Sequence, residues 1–243
     1  MNATAKPPLW TPLTGPLPFP ESASIEGYVI RRPKGRQMGG DFHAAEGIDE
    51  RTFCMLLGDG RGKGTIGTLQ MLPLLTAFRL VFRESTAPSY IMHRLAEASR
   101  TCKVEATAIC FVIRRIEDKL WLSVSSAGHP PLILVSRSHQ GRFEFPRPDS
   151  PAQGRTLHPD LDCQMAEDRC ELYSGDFIIA YTDGISDAGQ GRGRVFGFGG
   201  IVGAVESVTN QTPKEFAQAI LRSAEECEKP LSDDATILVI RIK

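Results

Sequence analysis

The stretch FIIAYTDG (residues 177–184) joins an apolar run to an aspartate and a glycine. Apolar and aromatic residues in unbroken succession over residues 177–181 are typical of a short, buried β-strand. Asp183 and Gly184 then follow the strand closely. On its own, an Asp-Gly pair is common turn chemistry, so this stretch alone favours a turn over a ligand site.

Three more aspartates have similar settings, each beside glycines or an apolar run. They are Asp41 in GGDF (residues 39–42), Asp59 in LLGDG (56–60) and Asp233 in DDATI (233–237). A carboxylate held against a core is costly unless a cation or a donor compensates its charge. Hard divalent cations require oxygen ligands of this kind. Taken together, the four aspartates predict a metal site for hydrolytic chemistry.

Composition sets limits on the remaining function classes. The chain has 243 residues, enough for one large domain, and a formal net charge of -1, which argues against a nucleic-acid partner. The N-terminus lacks a signal-peptide core, and no apolar run is long enough to cross a membrane. The six cysteines show no metal-binding or redox spacing, so a reducing, cytoplasmic location is expected.

The pattern predicts an α+β domain with antiparallel sheets, over residues 24–243, behind a proline-rich arm at residues 1–23. Pro73 is expected to kink or split a helix at 64–83. Residues 137–160 are predicted to form a long surface loop, and residues 189–200 a mobile flap or a disordered loop. The other expected elements are strands at 25–31, 52–57, 106–114, 120–125, 132–135, 177–181 and 235–242, a helix from Pro88, and a helix opened by a capping box at Thr212.

Six short motifs occur in an order that resembles one family over residues 25–243. They are GGDF (39–42), GDGRGKG (58–64), AGHPP (127–131), GD (175–176) leading to YTDG (181–184), FG (196–197) and DDAT (233–236). The chain is similar to the metal-dependent protein phosphatases of the 2C type, specifically the bacterial branch typified by stage II sporulation protein E. This resemblance implies two antiparallel sheets packed face to face and flanked by helices, a four-layer αββα sandwich. It also implies two Mn²⁺ or Mg²⁺ ions at one end.

The resemblance also implies a role for each matching residue. Asp41 and Asp59 would hold one ion, and Asp59, Asp183 and Asp233 the other, together with the Gly60 carbonyl. A water shared by two cations becomes a nucleophile near neutral pH, so no protein nucleophile is needed. Asp234 follows a ligand position and is expected to have a structural role.

Three further residues are candidates for contact with substrate. Arg61 and Lys63 flank the Asp59 motif and would contact the phosphate, or would simply be solvated where a loop enters a helix. His129 lies in a Gly-His-Pro-Pro turn. It would protonate the leaving oxygen, although an orienting hydrogen bond is the favoured reading. The basic residues Arg31, Arg32, Lys34 and Arg36 are interpreted as a solvated strand end, with an edge that docks a phosphoprotein as the second interpretation.

The sequence therefore predicts a protein serine/threonine phosphatase that acts on a regulatory phosphoprotein. By family analogy, the substrate would be a phosphorylated anti-sigma-factor antagonist. Two other hypotheses stay open at this point. One is a catalytically weak regulator that binds a phosphoprotein, and the other is a metal-dependent hydrolase of a small phosphorylated molecule.

Overall fold

The structure is a computed structural model, and it describes residues 14–34, 39–62, 64–136, 141–147, 149–160 and 165–243. Of residues 64–66 only the backbone is described. Most strands are antiparallel and form two sheets of six strands each.

The first sheet contains the N- and C-terminal strands of the domain. Its order is β1-β2-β12-β11-β7-β8, and every neighbouring pair is antiparallel. The strands are β1 (Gly15–Pro16), β2 (Ile25–Arg32), β7 (Leu132–Ser136), β8 (Gly141–Phe145), β11 (Phe177–Tyr181) and β12 (Ala235–Ile242).

The second sheet has the order β10-β6-β5-β4-β3, and a short strand, β9, pairs with β6 in parallel. Its strands are β3 (Asp41–Asp49), β4 (Thr52–Gly60), β5 (Ala106–Ile116), β6 (Lys119–Ala127), β9 (Gln153–Gly154) and β10 (Asp168–Leu172).

Helices cover the outer face of each sheet. The helices α1 and α2 share an apolar cluster with the second sheet, whereas α4 and α5 share one with the first. The helices are α1 (Gly64–Val81), α2 (Pro88–Cys102), α3 (Asp183–Ser186), α4 (Gly197–Glu206) and α5 (Pro213–Cys227). The layers therefore follow the order helix, sheet, sheet, helix, which confirms the predicted αββα class.

The continuous apolar runs have a simple cause, because the central strands are buried on both faces. In β4, Met55 and Leu57 point into the core between the sheets, while Cys54 and Leu56 point toward α1 and α2. The same alternation divides the side chains of β12 between the inter-sheet core and the layer of α4 and α5. Successive side chains of a strand point to opposite faces, so both faces must be apolar here.

Several sequence expectations were wrong in detail. The helix α1 continues through Pro73, so the expected split is wrong, while the expected kink stays a prediction. The expected loop at 137–160 contains β8, which pairs with β7, and also β9. The expected flap at 189–200 contains a short 3-10 turn (Gln190–Arg192) and the start of α4. The N-cap at Thr212 is confirmed, since the Glu215 amide donates to the Thr212 hydroxyl oxygen at 3.3 Å. The other half of the capping box differs, because the Glu215 carboxylate accepts from the Thr212 hydroxyl while the Thr212 amide donates to the Asn210 carbonyl.

The predicted arm is described only from residue 14 onward, and residues 1–13 lie outside the described part of the chain. Within the described part, β1 pairs with β2, and Leu17 is buried in the inter-sheet core. Phe19 stacks edge to face on Phe53, with ring centroids 5.3 Å apart. Residues 14–23 therefore pack against the domain, while the proposed boundary at residue 23 stays a prediction.

Candidate metal centre

Two of the four aspartates face each other across neighbouring strands. Asp41 begins β3 and is the register partner of Asp59, near the end of β4. Asp41 is buried, at 4% exposure, and Asp59 is half-buried. Burial and the neighbouring Asp41, Asp183 and Asp233 raise the pKa of Asp59 to about 8. Burial also raises the pKa of Asp41 to about 7.

The other two aspartates come from the facing sheet. Asp183 opens α3 just after β11, and Asp233 precedes β12, the strand that pairs with β11. Burial, followed by the charges of Asp187 and Asp233, raises the pKa of Asp183. Asp59 therefore lies within electrostatic range of the other three predicted ligands, and Asp183 within range of Asp233, at one edge of the two sheets.

Among the described residues, only carboxylates act electrostatically on Asp59, whereas the Arg31 guanidinium opposes the rise in the pKa of Asp41. An excess of carboxylates at this edge fits a metal site. The Asp41 Oδ1 atom is buried and has no hydrogen-bond partner in the described part of the chain, as a free oxygen ligand would. Among the described residues, no group of three or more His, Cys, Asp or Glu side chains already has the arrangement of a cation site. Like charges repel one another, so the carboxylates are expected to close up only around a cation.

The glycines at the site permit a close approach of two backbones. The Gly60 amide donates to the Gly40 carbonyl at 3.2 Å. A Cβ atom on Gly40 would lie 2.4 Å from the Gly60 carbonyl oxygen, closer than atoms can pack. The Gly60 carbonyl, a predicted ligand, is therefore held beside Asp41 and Asp59 by a contact that only glycine allows.

Three groups around Asp41, two buried threonines and a half-buried arginine, were not assigned a site role from sequence. Thr182 and Thr236 both donate to the Asp41 Oδ2 atom. Arg31 donates to the Asp41 carbonyl oxygen, so it is not the solvated residue that its basic neighbourhood indicated. Asp234 accepts from the amides of Gly40 at 2.9 Å and Lys34 at 2.6 Å, as a structural residue would.

The predicted substrate contacts have different surroundings. Arg61 is exposed and forms an ion pair with Glu105, so it would have to leave this partner to reach a phosphate. Lys63 lies outside the described residues. His129 is buried, and its Nδ1 atom lies 2.9 Å from the Thr107 hydroxyl oxygen. A cavity of about 520 Å³ runs from His129 to Asp183.

Comparison with known proteins gives the family. The family model for stage II sporulation protein E matches residues 49–243. The chain belongs to this family. No curated protein sequence matches it significantly. This membership confirms the family that the sequence predicts. The solved structures that the chain resembles are phosphatases of the class predicted for this enzyme.

Three of those solved structures illustrate the likeness, and at these identities they support the fold alone. The PP2C phosphatase domain of SpoIIE from Bacillus subtilis, solved with a fragment of its regulatory domain, superposes with a TM-score of 0.75 at 13% identity, over 90% of this chain and 63% of that one. The SiaA PP2C domain of Pseudomonas aeruginosa gives 0.73 at 21% identity, over 89% and 85%. The catalytic domain of the serine/threonine protein phosphatase PstP, in complex with two manganese ions, gives 0.61 at 12% identity, over 89% and 97%.

The chain thus spans less than two thirds of the Bacillus subtilis chain. In the described part of this chain, no helix has the length and apolar character needed to cross a membrane.

The environment of His129 predicts a specific pH dependence of stability. Burial lowers the pKa of His129 to about 3, so the folded protein keeps this ring neutral at physiological pH. The unfolded chain takes up the proton near pH 6.5, so stability is lost as the pH falls below that value. We expect His129→Gln to lower the free energy of unfolding at pH 7.5 by about 1–2 kcal/mol, because the hydrogen bond with Thr107 is disturbed. Between pH 6 and 4.5, the variant should lose about 1 kcal/mol less per pH unit than the wild type.

Urea unfolding at pH 7.5, 6.0, 5.0 and 4.5 measures this difference. His93→Gln, which changes a half-exposed histidine on α2, is the matched control and should keep the wild-type slope. Equal slopes for wild type and His129→Gln would show that His129 takes up its proton normally in the folded state.

Proposed function

We propose that this chain is a metal-dependent protein serine/threonine phosphatase. The observation that carries the proposal is the meeting of Asp41, Asp59, Asp183 and Asp233, drawn from both sheets, at one edge of a PP2C-type fold. Repulsion between carboxylates at one edge lowers the stability of the folded protein, and a bound polyvalent cation offsets this repulsion. The arrangement therefore favours cation binding at the expense of the stability of the metal-free protein.

The residues present fit two hard cations such as Mn²⁺ or Mg²⁺. Asp41 and Asp59 would hold one ion, and Asp59, Asp183 and Asp233 the other, with the Gly60 carbonyl. Bound there, the two ions would lower the pKa of a water molecule and neutralise charge on the phosphoryl oxygens. The buried Oδ1 atom of Asp41, which has no hydrogen-bond partner among the described residues, would supply one of the ligands.

His129 and Thr107 are the remaining site residues, and we assign them an orienting role. His129 is buried and neutral, so it is a poor general acid for the leaving oxygen, and its contact with Thr107 favours an orienting role. Thr107 is in turn the register partner of Asp59 on the neighbouring strand. His129 would therefore stiffen the wall of the site on the side of Asp59.

A phosphoprotein is the proposed substrate, and a phosphorylated anti-sigma-factor antagonist is the specific candidate by family analogy. The fold supports this class of substrate, because the manganese-bound PstP structure that it resembles is described as a serine/threonine protein phosphatase. The substrate is therefore best sought with phosphoserine and phosphothreonine peptides first.

The test is hydrolysis of a phosphoserine peptide in the presence of Mn²⁺. We expect wild-type turnover that EDTA abolishes and that Asp183→Asn lowers by at least about a hundredfold, since a ligand to an activating metal is lost. Asp118→Asn makes the same charge change in an exposed turn between β5 and β6 and should keep wild-type activity.

Each alternative outcome has a defined meaning. A folded wild type that binds the phosphopeptide without hydrolysing it would indicate a phosphoprotein-binding regulator. Turnover of nucleotides or sugar phosphates in preference to phosphopeptides would indicate a small-molecule hydrolase. Full activity of Asp183→Asn would contradict the ligand assignment.

A further inference from the structure

The carboxylate of Asp41 is held by two threonines from the opposite sheet. The Thr182 hydroxyl donates to Asp41 Oδ2 at 2.9 Å, and the Thr236 hydroxyl donates to the same oxygen at 2.5 Å. Both threonines are fully buried, and Asp41 is nearly so. Asp41 is therefore bonded across the gap between β3 and the ends of β11 and β12.

The threonine hydroxyls have little freedom to bond elsewhere. The Thr236 amide donates to the Thr182 hydroxyl oxygen at 2.9 Å, and the Thr182 amide donates to the Thr236 carbonyl at 3.0 Å. A hydroxyl has only one proton. Because the Thr182 oxygen already accepts from Thr236, its proton is directed at Asp41. The pair thus forms a small closed network with both donors aimed at one oxygen.

The two carboxylate oxygens of Asp41 differ in their hydrogen bonding. Oδ2 accepts two hydrogen bonds, while Oδ1 is buried and finds no partner among the residues that the structure describes. A buried carboxylate needing stabilisation alone would gain more from one donor on each oxygen, since an unpaired buried acceptor is costly. The one-sided arrangement leaves Oδ1 free and fixes its direction.

We propose that Thr182 and Thr236 are positioning residues that clamp Oδ2 of Asp41 and thereby present Oδ1 to a divalent cation. This inference rests on the proposed function, because it takes Asp41 as a metal ligand. Groups that hold a ligating side chain in place commonly change metal affinity by about 10- to 100-fold when they are removed. The pair also links the two sheets at the site, so Asp41 keeps its distance from the aspartates of the opposite sheet.

Replacing Thr236 separates positioning from simple packing. Thr236→Val keeps the shape and removes the donor, whereas Thr236→Ser keeps the donor and loses a methyl group. We expect Thr236→Val to weaken Mn²⁺ binding by about 10- to 100-fold and Thr236→Ser to stay within about threefold of the wild type. A role in packing alone predicts the reverse order, because serine would then leave the larger defect.

The measurement is a calorimetric titration of the metal-stripped protein with Mn²⁺. Its variants are wild type, Asp41→Asn, Thr236→Val, Thr236→Ser and Thr52→Val. Thr52 is a buried threonine at the start of β4, the end remote from Asp59, so Thr52→Val should bind Mn²⁺ like the wild type. Circular dichroism establishes that each variant is folded. If Thr236→Val does not fold, Thr182→Val and Thr182→Ser form an equivalent pair.

The outcomes distinguish a failure of the ligand assignment from a failure of the positioning role. Unchanged Mn²⁺ binding in Asp41→Asn, or none in the wild type, would overturn both the ligand assignment and the positioning role. Loss of binding in Asp41→Asn with wild-type affinity in Thr236→Val would overturn the positioning role alone. Loss in both, with recovery in Thr236→Ser, is the expected result.

Discussion

Replacing Asp59 with asparagine is expected to abolish phosphatase activity and to make the metal-free protein more stable. Asp59 is the proposed bridge between the two ions, and it lies within electrostatic range of Asp41, Asp183, Asp233 and Asp234. Asparagine keeps the shape of the side chain and removes the group whose ionisation burial and the other carboxylates oppose. Activity should fall at least about a thousandfold, because charge stabilisation by bound metals is worth several kcal/mol.

The gain in stability follows from the same crowding. In EDTA we expect the Asp59→Asn variant to be about 1 kcal/mol more stable than the wild type, or about 2–4 °C higher in Tm for a chain of this size. Added Mn²⁺ should reverse the order, because a ligand that binds only the folded state stabilises in proportion to its affinity. Thermal unfolding with EDTA and with Mn²⁺ measures both effects, and Asp118→Asn serves as the charge-matched control.

A crossover of this kind would be hard to explain in any other way. A carboxylate with a purely structural role would lose stability on substitution under both conditions, as expected when buried hydrogen bonds are removed. A lower Tm for Asp59→Asn in EDTA would therefore contradict the view that the site is strained by its own charges.

The sequence predicted the centre of the fold well because burial on both faces leaves a strong pattern. Strands such as β4 and β12 are continuous apolar runs, since each lies between a sheet and a helix layer. The four aspartates were recognisable because each stands beside glycines or such a run. Their common location follows from topology, since the strand ends that carry them meet at one edge.

Elements whose formation depends on pairing or packing with other elements of the chain were not predicted. The strand β3 contains His43, Glu46 and Gly47, which weaken its pattern, and pairing with β4 determines it. The helix α4 begins GFGG, a poor helical sequence, and is held by packing of Ile201 and Val205.

The site contacts were missed for a related reason. The bonds from Thr182 and Thr236 to Asp41 span 141 and 195 residues, so no local pattern could reveal them. The sequence shows only that Thr182 and Thr236 lie close to two of the aspartates, which is a weak indication of a site role.

Replacing Gly184 with alanine is expected to disrupt the site by steric conflict alone. A Cβ atom at Gly184 would lie 1.9 Å from the carbonyl oxygen of Asp234, a backbone atom that cannot rotate away. The start of α3 and the segment before β12 would have to separate. We expect a loss of about 3 kcal/mol or more in the free energy of unfolding. The folded fraction should also lose about a hundredfold in activity, because Asp183 would be displaced from Asp233.

Gly191→Ala is the matched control, since nothing lies within 4 Å of the Cβ atom that it would add. It should change stability by less than about 0.5 kcal/mol and leave turnover unchanged. Urea unfolding and phosphopeptide hydrolysis of both variants measure the difference. Because neither change alters charge or a proposed ligand, a loss of activity in Gly184→Ala alone would show that the spacing of the two strand ends determines catalysis. Equal stability of the two variants would mean that the backbones at Gly184 and Asp234 separate freely in solution.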